Sequence, residues 1–151
     1  MYATVNCLKG IENPEITEIM VEDDEDGRGV FVTADVFRMG RCDIFSIALS
    51  KEFGYAAYKI GETEEGLTHS FCITFVGNHV LFVDVRGMTT DLKQFCSGFT
   101  FKTGGVLTRQ DVEREYCQLD DAGRFGYRFA EWIIGKYRSR YDSSRFNLSQ
   151  E

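Results

Sequence analysis

Cys42, His69 and Asp84 are residue types that together can make and break an acyl bond. A thiol hydrolase or acyl transferase needs a nucleophile, a base to hold its proton, a group that orients the base, and N–H donors for the oxyanion. Cys42 suits the first role. Gly40 and Arg41 precede it, and Ile44, Phe45, Ala48, Leu49 and Phe53 follow at helical spacing, which places the cysteine in the first turn of a helix capped by Gly54. Unpaired backbone N–H groups and the positive dipole end lower a thiol pKa at such a position. Arg41 adds positive charge there, as electrostatic support for the thiolate and the oxyanion. His69 would take and return the proton, Asp84 would fix the imidazole, and the Cys42 amide would contribute to the oxyanion hole.

These residues need elements that bring them together. Residues 70–76 and 79–85 are rich in β-formers and flank Gly77-Asn78, a pair suited to a two-residue hairpin turn. That loop pairs Val76 with His79, Ile73 with Phe82, Phe71 with Asp84 and His69 with Arg86. Alternation then puts His69, Phe71, Ile73 and Phe75 on one face with Val80, Phe82 and Asp84. His69 and Asp84 become diagonal neighbours, about 7 to 8 Å apart between backbones and within reach of each other's side chains. The same face is expected to receive the Cys42 helix.

The segments GRCDIFSIALSKEFG, THSFCITF and HVLFVDVRG resemble the core of the papain-like and transglutaminase-like cysteine superfamily. That superfamily includes cell-wall amidases of the NlpC type and bacterial glutamine deamidase effectors. Its members place a cysteine at a helix start against a sheet whose next two strands present histidine and then aspartate, asparagine or glutamine. The resemblance spans residues 40–87, about a third of the chain. It implies Cys42 as nucleophile, His69 as base and Asp84 as orienting residue. It also implies cysteine-dependent acyl transfer on a protein or peptide amide through a thioester, with hydrolysis foremost and deamidation, proteolysis and transglutamination sharing the intermediate. Many proteases of this kind carry a glutamine a few residues before the cysteine as a second oxyanion donor. Val36, Phe37, Arg38 and Met39 stand there instead, so that donor is unassigned and general acyl transfer is favoured over papain-type proteolysis.

The remaining sequence frames this core. Residues 16–21 suit a short strand or a turn of helix, 30–36 and 55–60 suit strands, and the acidic runs 22–26 and 62–66 suit solvated loops. Thr108 opens a capping-box-like start to a short helix, and Phe125, Phe129, Trp132, Ile133 and Tyr137 mark a helix with an aromatic stripe suited to a core. The expected fold is α+β: an antiparallel, papain-like sheet of about four to six strands with the Cys42 helix on one face and the later helices packed around it. With 151 residues, 43% of them hydrophobic, the chain suits one domain over 1–151, its core at 40–87 and its helical part at 108–140.

Seventeen basic against twenty-four acidic residues leave a net charge of −7, the wrong sign for a phosphate backbone, so no nucleic-acid partner is expected. No apolar run approaches the roughly 18 residues of a membrane span. Residues 1–10 lack a signal-peptide pattern, so a cytoplasmic protein, or one delivered into a host cytosol, is expected. The five cysteines are odd in number and form no CxxC, which indicates neither a disulfide framework nor a zinc knuckle. Cys72 and Cys96 read as packing thiols, and no metal or cofactor is expected. The rival reading is a non-enzymatic binding protein of the immunity or anti-defence kind on the same scaffold. The state of the Cys42 thiol separates the two.

Overall fold

The computed structural model describes residues 19–23, 29–33, 37, 41–60, 69–95 and 106–146. A first antiparallel pair joins β1 (Ile19–Asp23) to β2 (Gly29–Thr33), with Val21 opposite Phe31. Then come α1 (Cys42–Phe53), β3 (Ala56–Ile60), β4 (His69–Val76), β5 (His79–Asp84), β6 (Gly87–Thr89), α2 (Leu92–Phe95) and β7 (Val106–Leu107). The chain continues through α3 (Arg109–Cys117), α4 (Asp121–Lys136), α5 (Arg138–Tyr141) and a 3-10 turn at Ser143–Arg145. The main sheet has five antiparallel strands in the order β6-β5-β4-β3-β7. The acidic loop expected at 62–66, most of that at 22–26, and Cys7 and Cys96 lie outside the described residues.

Helix α1 is buried from Ile44 to Leu49, because the sheet covers one side of it and α3 and α4 the other. Gly126 of α4 stands where an added Cβ would lie 3.4 Å from the Ile44 side chain, so the two helices meet closely. Phe125, Phe129 and Ile133 of the aromatic stripe are buried, whereas Trp132 points outward and lies under Lys136. The α3 start is a full capping box: Thr108 accepts from the Asp111 amide, and the Asp111 carboxylate accepts from the Thr108 amide.

The hairpin register is as expected from Val76↔His79 through Ile73↔Phe82 to Cys72↔Val83. Two expectations beyond it require correction. Arg86 does not pair with His69, because the chain reverses in a second two-residue turn at Val85-Arg86 and returns as β6, with Asp84 opposite Gly87. Gly87 has φ 121°, a left-handed value that side-chain-bearing residues rarely adopt, and this releases the strand from the longer ladder. Nor does α1 pack on the face of Phe71 and Phe82. It packs on the opposite face, against Ala57, Cys72 and Val83, and the Cys72 thiol donates to the Ser46 carbonyl at 3.3 Å. Phe71 and Phe82 instead form a second, smaller core with Phe95 of α2, edged by Tyr58 and Ile73. Both faces of the hairpin carry apolar side chains, and α1 covers one while Phe95 of α2 covers the other.

Candidate active site

Cys42 is the first residue of α1, with Arg41 as its N-cap, and is 7% exposed. Its carbonyl accepts the Ser46 hydroxyl at 3.1 Å, and its sulfur accepts the Ser70 backbone N–H at 3.3 Å. The N-terminus of α1 thus meets the sheet where β4 begins. His69 precedes Ser70, and by strand alternation its side chain leaves toward the other face. At the sheet's end the imidazole is nonetheless near enough to Cys42 for the two groups to shift each other's protonation.

The imidazole is buried and held in one orientation. Its plane lies 9° from that of Phe71 with ring centroids 6.3 Å apart, and Phe95 tilts against it at 6.0 Å. The His69 Nε2–H donates to Asp84 Oδ2 at 2.8 Å, so Nδ1 is the ring nitrogen that remains to serve the sulfur. This satisfies the expectation that His69 and Asp84 meet across one hairpin.

Asp84 is also gripped by Arg86, a residue that sequence reasoning placed only as a strand partner. The Arg86 amide donates to Oδ1 at 2.9 Å, its Nε lies 3.0 and 2.9 Å from the two carboxylate oxygens, and Nη2 donates to Oδ2. Arg86 is itself buried, donates from Nη2 to the Phe95 carbonyl at 3.2 Å, and lies 4.7 Å above the Phe95 ring. The sequence signal was Asp84-Val85-Arg86-Gly87, an acid and a base two apart across a tight turn. It becomes informative once the turn is placed.

The electrostatics follow from this row. Burial pushes the Cys42 thiol up, but the nearby His69 imidazole and the Ser70 amide outweigh it, leaving the thiol below its ordinary value of 9.0. Burial works against a charged His69, yet Asp84 and Cys42 raise it to about 9. Burial would raise Asp84 too; Arg86 and His69 reverse that and hold the carboxyl well below the usual carboxylate range. All three shifts favour the same state: thiolate, imidazolium, carboxylate and guanidinium, alternating in sign and summing to zero. Charges so deeply buried persist only when compensated in this way. Cys72 is the contrast, since burial and the Asp84 charge both drive its thiol far up.

Arg41 stands beside Cys42 as the sequence requires, but its guanidinium faces Asp43 at 3.5 Å, and both side chains are partly exposed. Asp43 opposes thiolate formation. The positive charge of Arg41 is therefore placed to offset Asp43. Among the described residues no group of three or more His, Cys, Asp or Glu side chains is arranged to hold a metal ion, and no helix is long and apolar enough to cross a membrane. Comparisons with protein-family models, with curated proteins and with solved structures return no match.

Proposed function

We propose that this chain is a cysteine-dependent acyl transferase acting on an amide of a protein or peptide, with water as the usual acceptor. The observation that carries the reading is the buried row Cys42, His69 and Asp84, in which the imidazole hydrogen-bonds the carboxylate and is coupled electrostatically to the thiol at the start of α1.

In the first half-reaction the Cys42 thiolate attacks the carbonyl carbon, forming a C–S bond and placing the carbonyl electron pair on oxygen. The Cys42 amide at the start of α1 stabilises that oxyanion, and the helix dipole points the same way. His69 then gives its proton to the leaving nitrogen as the C–N bond breaks. A thioester and a neutral amine, or ammonia from a primary amide, result. In the second half-reaction His69 takes a proton from water, the hydroxide adds to the thioester, and the carboxylic acid leaves with the C–S bond broken. Asp84 keeps the imidazole oriented and balances its charge throughout.

Incubation with peptide amides and with protein-bound glutamine, followed by mass spectrometry, tests this reading through product and a thioester adduct on Cys42. Cys42→Ala and His69→Ala should each reduce turnover by more than about a thousandfold while remaining folded, and the double variant should be scarcely worse, because one catalytic unit is not additive. Asp84→Ala should retain measurable turnover, since it makes and breaks no bond. Brief iodoacetamide treatment near neutral pH should label Cys42 well ahead of Cys7, Cys72, Cys96 and Cys117, among which Cys72 is buried and Cys117 exposed. An unreactive Cys42 in the folded protein would instead favour the non-enzymatic binding reading.

A further inference from the structure

We infer that Arg86 is a positioning residue of this site, acting through Asp84: its guanidinium clamps both carboxylate oxygens, aims Oδ2 at His69 and balances the carboxylate's charge. The inference rests on the catalytic reading of Cys42 and deepens it.

Geometry comes first. Oδ1 is held by the Arg86 amide and Nε, while Oδ2 is shared between Arg86 and the His69 ring. A carboxylate held on both oxygens cannot rotate, so its direction toward Nε2 is set before any substrate arrives. The clamp is itself braced. The Phe95 carbonyl and ring hold the guanidinium, and the same ring packs on His69, so one side chain of α2 floors both cations. From the other side the Tyr141 hydroxyl of α5 donates to the Val85 carbonyl at 2.7 Å, fixing the turn that carries Arg86.

Charge comes second. Among the described residues, the titratable groups bearing on the row besides its four members are Asp43 beside Cys42, and Cys72 and Tyr141 near Asp84. Cys72 and Tyr141 stay neutral because burial drives both far up. Arg86 is therefore the permanent cation of the row. Without it the neutral set of four becomes a set of three with a net negative charge, and every remaining group in it holds its proton more tightly. The thiolate then forms at higher pH.

Iodoacetamide labelling of Cys42 across pH reads this without any substrate, with thermal melting followed on the same samples. Wild type is expected to show an acid limb below the ordinary thiol range. Arg86→Met should move that limb up by about one pH unit, which is about tenfold slower labelling at a pH on the limb. Arg86→Lys, which keeps the charge, should restore most of it. If Arg86→Met does not fold, Arg86→Gln, which keeps N–H donors without the charge, must show the same displacement. A melting temperature that falls while the limb stays in place overturns the inference, since a purely structural arginine would behave that way. So does an Arg86→Lys limb displaced as far as that of Arg86→Met. A wild-type Cys42 that labels only in the ordinary thiol range removes the catalytic reading itself, whereas an acidified wild-type limb unmoved by Arg86→Met removes the Arg86 role alone.

Discussion

The opposite shifts of His69 and Cys42 set how the molecule responds to pH. A histidine raised from 6.5 to about 9 contributes stability that is complete below about 6.5 and lost as pH rises toward 9. A thiol lowered from 9.0 has the opposite sign: its contribution is complete above 9 and lost as pH falls through its folded value. Above the folded thiol value and below about 9, the native pair binds one proton, on the imidazole, and the unfolded chain binds one, on the thiol. The two slopes largely cancel. Cys42→Ser keeps the Asp84 part of the histidine shift and removes the compensating thiolate. Its melting temperature should therefore fall with rising pH from about 6.5 to about 9, while wild type levels off once pH passes the folded thiol value; parallel melting curves would show that His69 is not raised. Asp84, held low by Arg86, contributes above about 3.8 and loses that contribution as pH falls below it, so both proteins should weaken in acid. Acyl transfer should rise with the thiolate and fall near 9, where His69 no longer protonates the leaving group.

At the scale of elements, the row of Cys42, His69, Asp84 and Arg86 depends on two short helices, α2 and α5. Phe95 closes α2 over Phe71 and Phe82, with ring centroids 5.1 and 5.3 Å away, and supports His69 and Arg86 from below. Phe95→Ala should cost about 3–5 kcal/mol, the usual range for emptying a buried aromatic site, and should slow acyl transfer by freeing the imidazole. Tyr141→Phe leaves the Val85 carbonyl without that hydroxyl and should cost about 1–3 kcal/mol. Urea unfolding of both variants, with midpoints lowered and slopes unchanged, checks these values. Helix α1 was legible because Ile44, Phe45, Ala48, Leu49 and Phe53 share a helical period and Gly54 ends it with φ 76°. Its packing face was not, because Phe71, Phe82, Cys72 and Val83 make both sides of the hairpin apolar.

Across the whole molecule, the C-terminal segment returns to the sheet: the Tyr55 hydroxyl donates to the Tyr141 carbonyl at 2.9 Å and accepts the Ser143 amide at 2.7 Å. A chain ended after Lys136 should lose its cooperative thermal transition, as followed by circular dichroism, because Tyr55, Phe45 and the Val85 turn all lose their cover. Local pattern alone determined that Cys42 begins a helix, that Gly77-Asn78 joins two strands and that His69 and Asp84 leave the hairpin on matching parity. Helical period, turn chemistry and strand alternation act over a few residues, and each leaves a mark in the order of side chains. Tertiary structure decided which face α1 covers, that Arg86 leaves the ladder to seize Asp84, and that Phe95 and Tyr141 brace the turn between them. Those outcomes depend on competition among apolar surfaces and on compensating buried charges contributed by separate parts of the chain, and neither has a local spacing to read.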